Sequence, residues 1–339
     1  MAADRKLRLT KCGNHIFTLR EGTLSKARNA KRILLQVPEG FKPCATQVAE
    51  AILAEARDSE VDIDASPNFG SCLLDLEIVR KYDLVIHFGH DRYPLWEPPG
   101  NVVFEDVIYE PGLDEEVLEE LARDLKEREL RRILLYVTQQ HKNLYETIRK
   151  FLLMHGITVV NDKRKSLAFG CIYPDIAVLS SSVDAVIMVS GGSFHSLGAG
   201  ISLGGLKPVF KVDPYRCTYV DMTEAIRKVL KVRFGKIFLA NKASNWLIIA
   251  GIAGQYRPDV VSAVRQAIVA KGGKYFVARC AYLTNTTLAN LDNPHIDSII
   301  VTSCPRLPID DLSEYHKPVL TPGEALYVLG KHHSYRFPW

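Results

Sequence analysis

Three apolar segments of this chain repeat one pattern, and this repeat limits the folds that the chain can adopt. Residues 32–38 (RILLQVP), 132–138 (RILLYVT) and 245–251 (NWLIIAG) each open with a basic or amide residue, continue as a short apolar run and end in a turn. Such runs are typical of parallel strands that are covered on both faces. Each is followed by apolar residues at spacings of three and four, which predict a helix with one buried face.

Two further predicted strands complete each repeat. Residues 61–64, 157–160 and 274–277 follow the predicted helices, and residues 83–87, 184–189 and 297–301 come next. The last three segments each begin with aspartate, and each leads into a polar loop, at residues 88–91, 190–193 and 302–305. Strands that alternate with helices predict an α/β protein with parallel sheets.

The repeat divides the chain into three α/β domains, residues 1–110, 111–213 and 214–339. Residues 113–131 and 222–232 are predicted to form linker helices with solvated polar faces that pack beside these domains. Open parallel sheets bind ligands outside the carboxyl ends of their strands. Three homologous parallel-sheet domains with pseudo-threefold symmetry would therefore direct three sets of loops into one central cavity.

Composition and charge restrict the function classes. Of the 339 residues, 47% are hydrophobic and 24% are charged, which excludes disorder as the main state. No apolar run approaches the roughly 18 residues of a membrane span. The charged start, Met1 to Leu9, lacks the apolar core of a signal peptide, so the expected location is the cytoplasm, without membrane contact. A net charge of +4 gives little support for direct nucleic-acid binding, and none is expected.

Three of the seven cysteines follow predicted strands. Cys72 lies 40 residues after Arg32 and Cys171 lies 39 residues after Arg132, so these two occupy matching places in their repeats. Cys304 departs from this register, because it follows a different strand of its repeat, yet it also lies at a carboxyl end. Three thiolates on one cavity can hold an iron–sulfur cluster and leave one iron open to substrate. The alternative is that all three are small buried side chains.

The other four cysteines, Cys12, Cys44, Cys217 and Cys280, have no such context. An odd number of cysteines scattered over a long chain argues against a disulfide framework. The absence of a C-x-x-C pair excludes a zinc ribbon and a thioredoxin motif. These four cysteines are therefore expected to be small buried side chains.

Two glycine-containing loops are candidates for cofactor binding. Residues 190–198 (SGGSFHSLG) follow a predicted strand, and their glycines allow the backbone to approach an anionic ligand. Residues 251–258 (GIAGQYRP) join a strand to a helix, where a carboxylate or ribose can meet helix N–H groups. An ordinary glycine-rich turn with a buried histidine is the alternative for the first loop. The candidate cofactor contacts are Gly191, Gly192, Ser193, His195, Gln255, Tyr256 and Arg257.

Charged residues beside Cys304 form a third candidate group. Arg306, Asp310 and Asp311 follow this cysteine within residues 303–311 (SCPRLPIDD). The two aspartates either contribute charge to the site or cap the start of a helix.

Four motifs occur in a fixed order: FGSC at 69–72, FGC at 169–171, GSFHSLG at 192–198 and SCPRLPIDD at 303–311. Together they resemble the diphthamide-synthesis family, over about residues 32–330. The resemblance implies three similar domains that each give one cysteine, Cys72, Cys171 or Cys304, to a [4Fe–4S] cluster. Because all three cysteine motifs are intact, it also implies a catalytic homodimer of the archaeal type.

The resemblance further implies a non-standard radical use of S-adenosylmethionine. The reduced cluster would cleave the bond between sulfur and the methionine γ-carbon, releasing methylthioadenosine and a 3-amino-3-carboxypropyl fragment. The fragment would add to the imidazole C2 of a histidine in translation elongation factor 2, and an electron donor would serve the cluster. The protein would supply thiolates, a dry cavity and anchors for the cofactor. The basic segment 227–236 either helps to dock the target or is a solvated face.

Two other functions remain open. A quinolinate-synthase-like dehydrating enzyme also uses three α/β units and a three-cysteine cluster, although the segment at 303–311 does not resemble it. The second alternative is a non-catalytic iron–sulfur scaffold or electron-transfer partner, which would bind a cluster without cofactor turnover.

Overall fold

The structure, a computed structural model, describes residues 5–339. The predicted absence of a signal peptide concerns residues 1–9, of which residues 1–4 lie outside the described part. Between residues 5 and 339, no helix is both long and apolar enough to span a bilayer.

The first part of the chain contains a small antiparallel sheet and a parallel sheet. The antiparallel sheet has the order β1-β2-β7, and the parallel sheet has the order β4-β3-β5-β6. Their elements, in chain order, are β1 (Lys6–Cys12), β2 (His15–Arg20), α1 (Glu21–Asn29), β3 (Arg32–Gln36), a 3-10 helix (Glu39–Cys44), α2 (Ala45–Glu55), β4 (Glu60–Ile63), α3 (Leu76–Val79), β5 (Leu84–Phe88), β6 (Val102–Glu105) and β7 (Val107–Tyr109).

The middle of the chain forms a second parallel sheet with one antiparallel edge strand, in the order β12-β11-β10-β8-β9. Its elements are α4 (Glu115–Glu127), β8 (Arg132–Val137), a 3-10 helix (Gln139–Leu144), α5 (Tyr145–Met154), β9 (Thr158–Val159), 3-10 turns (Lys163–Lys165 and Ser180–Ser182), α6 (Ile176–Leu179), β10 (Ala185–Val189), α7 (Phe194–Ser202), β11 (Val209–Asp213) and β12 (Thr218–Asp221). The edge strand β12 follows the predicted boundary near residue 214 but pairs with β11 of the second sheet.

The last part of the chain forms a third parallel sheet, in the order β14-β13-β15-β16. Its elements are α8 (Thr223–Ala240), β13 (Asn245–Ala250), a 3-10 turn (Ala253–Gln255), α9 (Pro258–Ala270), β14 (Lys274–Arg279), α10 (Asn285–Leu291), β15 (Ser298–Val301), β16 (Val319–Leu320) and α11 (Pro322–Val328).

The three parallel sheets share one topology. In each, the first strand of the repeat (β3, β8 or β13) lies between the second strand and the third. From the first strand, the second strand lies on one side and the third strand on the other, so the strand order reverses between the first and third strands. Open α/β sheets form a ligand crevice at such a position. The predicted α/β fold with repeated parallel sheets is confirmed, whereas the exact boundaries near residues 111 and 214 stay predictions.

The aspartate at the start of the third strand makes the same contacts in all three sheets, which explains why it recurs. The Asp83 carboxylate accepts the backbone N–H groups of Lys31 and Arg32, both at 2.9 Å. Asp184 and Asp297 make the same paired contacts with the residues that open β8 and β13, at 2.8–2.9 Å. Each aspartate therefore joins the amino ends of two neighbouring strands. At Asp83 the N–H groups of Arg32 and Lys31 lower the carboxyl pKa.

Helix α8 contains the basic segment 227–236, and the predicted solvated face of this segment is only partly present. Arg233 of α8 is fully buried and pairs with Glu324 of α11, contrary to that expectation. The first half of α8 packs on the core of the second sheet through Ile226 and Leu230, and the second half packs on the third through Ile237. A helix that packs between two cores buries residues on more than one face. The many Lys and Arg residues of this segment instead predict a single buried face and a solvated one.

The expectation for Cys12 and Cys44 is wrong, because these residues form a disulfide. The β1–β2 hairpin carries Cys12 to the 3-10 helix before α2, where the two Cα atoms lie 6.1 Å apart. That separation is in the ordinary range for a disulfide. Cys72, Cys171, Cys217, Cys280 and Cys304 carry free thiols.

Candidate functional site

A cavity of about 960 Å³ lies at the carboxyl ends of the parallel strands. Its walls come from the loops that follow strands of all three parallel sheets, including β5, β10 and β15. The shared strand order places these loops at the crevice of each sheet. The predicted convergence of three loop sets on one cavity therefore has a direct structural counterpart.

The three candidate cysteines, Cys72, Cys171 and Cys304, all line this cavity. Burial raises the pKa of each thiol, and the charge of Cys304 adds to this rise at Cys72, whose pKa reaches about 12, and at Cys171. Cys72 also raises the pKa of Cys171, as expected for thiols that line the same cavity. Buried thiols that oppose each other's ionisation become thiolates readily only when a positively charged group binds them.

Hydrogen-bond donors surround the sulfur atoms. Gln255 Nε2 donates to Cys72 Sγ at 3.6 Å, and the Tyr93 hydroxyl acts on Cys171 to lower its pKa, against the rise from burial. The backbone N–H groups of Arg306 and Leu307 face Cys304. Donors of this kind stabilise thiolates and fix the orientation of metal ligands.

Gly254 lets the third sheet approach Cys72 closely. A Cβ at this position would lie 3.0 Å from the Cys72 carbonyl oxygen and 3.0 Å from the Trp96 ring. Because those contacts are tighter than ordinary side-chain packing, only glycine fits here without movement of the cysteine loop.

Iron–sulfur clusters use cysteine thiolates as ligands, and each thiolate binds a different iron. Between residues 5 and 339, no group of three His, Cys, Asp or Glu side chains is arranged to hold a single metal ion. The chemistry of the donor set, three free thiols on one desolvated wall with N–H donors behind them, fits a cluster.

Arg306 supplies an unused cationic donor to the cavity. Its side chain is buried, its Nε and Nη2 donate to Asp310 at 2.9 and 3.0 Å, and its guanidinium lies over the Phe194 ring at 4.1 Å. Nη1 is buried and has no hydrogen-bond partner in the described structure. The residues around Asp310 form turns and not a helix, so Asp310 orients Arg306 and the helix-capping alternative is wrong.

Two unpaired acceptors belong to the same cavity. Asp91 Oδ2 and Gln139 Oε1 are buried without a partner among residues 5–339, and both residues line the wall. The amide nitrogen of Gln139 is held by Asp106 at 2.8 Å, which leaves its oxygen available. The two acceptors can pair with the ammonium group of an α-amino acid, and the buried Arg306 guanidinium can pair with its carboxylate.

The predicted cofactor contacts separate into two groups. Gly191, His195 and Gln255 line the cavity, whereas Gly192, Ser193, Tyr256 and Arg257 are not among its lining residues. Tyr256 packs against the Arg279 guanidinium, and Arg257 pairs with Asp259 at 2.8 Å and lies over the Trp339 ring. Arg257 Nη1, however, is buried without a hydrogen-bond partner among residues 5–339, so the cofactor contacts at Tyr256 and Arg257 stay predictions.

Several cavity residues were not predicted from the sequence. They are His90, Asp91, Tyr93 and Gln139, together with the donor role of Arg306. The polar loop after β5 (residues 88–91) was the available signal, because loops at carboxyl ends of parallel strands face the ligand. No local pattern distinguishes these residues from ordinary loop residues.

Comparison with known proteins gives a consistent result. The family model described as "Putative diphthamide synthesis protein" matches residues 37–338. The chain is 29% identical to the 2-(3-amino-3-carboxypropyl)histidine synthase of Pyrococcus horikoshii, over 92% of this chain and 90% of that protein. It is 23% identical to the synthase of the same name from Methanocaldococcus jannaschii, over 91% and 88% of the two chains.

The structural comparison covers nearly the whole chain as well. The crystal structure of Dph2 from Pyrococcus horikoshii with a 4Fe-4S cluster superposes with a TM-score of 0.78 at 26% identity, covering 93% of this chain and 91% of that one. A subunit 1 of the synthase from Schizosaccharomyces pombe is 28% identical over 88% of this chain and 70% of that protein. With the repeated sheets, the shared cavity and the family match over residues 37–338, this chain belongs to the diphthamide synthesis family.

Proposed function

We propose that this chain transfers the 3-amino-3-carboxypropyl group of S-adenosylmethionine to the imidazole C2 of a histidine in translation elongation factor 2. The observation that carries the proposal is the presence of Cys72, Cys171 and Cys304 on one cavity wall. The enzyme acts as a cytoplasmic homodimer with a separate electron donor. The named relatives, which are 2-(3-amino-3-carboxypropyl)histidine synthases, support the same reaction.

Cys72, Cys171 and Cys304 hold a [4Fe–4S] cluster in this proposal. When bound, the cluster supplies the electron that breaks the bond between the sulfonium sulfur and the methionine γ-carbon. The chain contributes the neighbouring donors, Gln255 and Tyr93, that stabilise two of the thiolates.

The amino-acid end of S-adenosylmethionine fits the unpaired polar atoms of the cavity. Arg306 Nη1 donates to the cofactor carboxylate, while Asp91 Oδ2 and Gln139 Oε1 accept from its ammonium group. Each of these atoms is buried and lacks a protein partner in residues 5–339. A ligand that pairs with them removes a desolvation cost of about 1–3 kcal/mol at the neutral Gln139 amide, and a larger cost at the charged groups.

Apolar side chains protect the reacting centre from water. Leu73, Phe169 and Phe194 line the cavity beside the cysteines, and Phe69 at its wall is 73% exposed. A dry cavity prevents water from competing for reactive fragments. The exposed Phe69 offers the side chain of an incoming protein loop an apolar contact.

The direct test uses anaerobically purified protein that has been reconstituted with iron and sulfide, reduced and mixed with S-adenosylmethionine. We expect mass spectrometry to detect methylthioadenosine and an aminocarboxypropyl product, and we expect Cys304→Ala to lose both together with bound iron. Cys217→Ala is the matched control, because Cys217 is a free thiol away from the cavity. Deoxyadenosine as the product, or no cleavage by an intact reduced cluster with elongation factor 2 present, would overturn the proposal.

A further inference from the structure

A chain of side-chain hydrogen bonds leads from the edge of the first parallel sheet to the cavity. Gln36 Nε2 donates to Asp64 Oδ2 at 2.8 Å, and Gln36 Oε1 contacts His87 Nδ1 at 3.0 Å. His87 Nε2 then contacts His90 Nδ1 at 3.0 Å. His87 is fully buried, and His90 lines the cavity that contains the three cysteines.

The order of donors along this chain follows from Asp64. A carboxylate only accepts, so the amide nitrogen of Gln36 faces Asp64 and its oxygen faces His87. His87 Nδ1 must then carry the proton, which leaves His87 Nε2 to accept from His90 Nδ1–H. The remaining nitrogen of His90, Nε2, is unprotonated and makes no hydrogen bond in the described part of the chain.

Burial keeps both imidazoles neutral. It lowers the pKa of His90 to about 4, and burial followed by the charge of His90 lowers the pKa of His87 well below its ordinary value. His90 therefore presents a lone pair, and not an N–H group, to a ligand in the cavity.

We propose that His90 Nε2 is the base that removes the C2 proton of the target imidazole during transfer of the 3-amino-3-carboxypropyl group. This assignment rests on the proposed function. His90 is the catalytic residue in this step, while Asp64, Gln36 and His87 are positioning residues that fix its tautomer.

Loss of the C2 proton completes the transfer of the fragment. Addition of the carbon-centred fragment radical to C2 forms one carbon–carbon bond and leaves the ring with an unpaired electron and a C2–H bond. Restoring the aromatic ring breaks that bond and releases one electron and one proton. A [4Fe–4S] cluster held by Cys72, Cys171 and Cys304 would accept the electron, and His90 Nε2 takes the proton, so the reaction consumes no further oxidant.

The hydrogen-bond chain prepares His90 for this role. Every donor between His90 and Asp64 already points away from the cavity and toward the carboxylate, so a positive charge on His90 needs no reorientation of its partners. His195, the other cavity histidine, lacks such support. Burial and then the charge of Arg306 lower its pKa to about 3, and its ring nitrogens have no hydrogen bond among residues 5–339.

The first test does not require the loaded enzyme. Nitrogen-15 NMR of the imidazoles in the purified protein should show His90 protonated at Nδ1 and unprotonated at Nε2. Gln36→Met removes the acceptor that holds His87, and we expect it to give a mixture of His90 tautomers. A wild-type His90 protonated at Nε2 would overturn the proposal.

The second test separates cofactor cleavage from transfer. In the reconstituted enzyme with elongation factor 2, we expect His90→Gln to keep forming methylthioadenosine while modified histidine falls by about 10²–10⁴-fold. The fragment that is not transferred should then accumulate. His295→Gln, at an exposed site remote from the cavity, is the matched control.

The two proposals fail in different ways. Wild-type protein that forms neither methylthioadenosine nor modified histidine would contradict the proposed function. Wild-type protein that couples the two products, with His90→Gln coupling them equally well, would overturn the role of His90 alone. Equal loss of both products in His90→Gln would also overturn it, because His90 would then act in cofactor binding.

Discussion

The buried pair Arg233–Glu324 offers a quantitative test of how α8 is held to the third sheet. The two side chains are 1% and 0% exposed. Arg233 Nε and Nη2 donate to the Glu324 carboxylate at 2.9 and 2.6 Å, and the guanidinium also donates to the carbonyls of Pro308 and Val319 at 2.6 and 2.7 Å. Glu324→Gln keeps the size of the side chain and removes its charge.

The expected loss follows from what the glutamine can still do. Its oxygen can accept one of the hydrogen bonds that Glu324 now accepts, from Arg233, the Thr321 N–H or the Tyr335 hydroxyl. The Arg233 charge, however, stays buried without a counter-charge. Breaking a buried pair by removing one partner costs about 3–5 kcal/mol. Because part of the hydrogen bonding survives, we expect a fall of about 3 kcal/mol in the free energy of unfolding, the lower end of that range.

Urea unfolding followed by circular dichroism measures this change. The matched control is Glu55→Gln, since Arg28 donates to Glu55 at 2.7 Å but the two side chains are 56% and 46% exposed. An exposed pair of this kind contributes about 0–1 kcal/mol. Losses of equal size in the two variants would refute the argument that burial determines the contribution of the Arg233 pair.

Three further predictions concern other parts of the chain. Gly254→Ala should displace the Cys72 loop and lower the iron bound after reconstitution, whereas Gly235→Ala, with open space around its Cβ, should bind iron normally and raise the free energy of unfolding by up to about 1 kcal/mol. Asp83 has a lowered pKa because two backbone N–H groups stabilise its carboxylate, so its contribution to stability is present above the unfolded-state pKa of about 4 and is lost as the pH falls through the folded-state value. Asp83→Asn should therefore weaken the acid dependence of unfolding, and an unchanged pH profile would contradict this. Reduction of the disulfide that closes 32 residues should lower the free energy of unfolding by about 4 kcal/mol, and Cys12→Ser should abolish the response to reductant.

Much of the fold was predictable because it depends on local periodicity. The order of apolar residues predicts strands β3, β8 and β13, the helices that follow them, and which faces of these elements are buried. The aspartates at the third strands were visible as a repeat, although their paired backbone contacts were not. The buried Arg233 was not predictable, because its partner Glu324 lies 91 residues away and an isolated Lys/Arg-rich helix resembles a solvated one.

The candidate site divides in the same way. Cys72 and Cys171 could be found from their matching positions, and Cys304 from its place after a strand. The sequence could not predict that polar atoms of Arg306, Asp91 and Gln139 are buried without hydrogen-bond partners, because this depends on every neighbour of the atom in space.

Local order and spacing along the chain are enough to predict the repeated α/β units, the position of the three cysteines at carboxyl ends of strands, and the family resemblance. Three features became visible only in the folded chain: the polar atoms without partners in the cavity, the direction of the hydrogen bonds from His90 to Asp64, and the disulfide between Cys12 and Cys44. Strand and helix patterns indicate which face of an element is buried. They do not indicate which distant side chain contacts that face, because this contact depends on how the sheets and loops pack against one another.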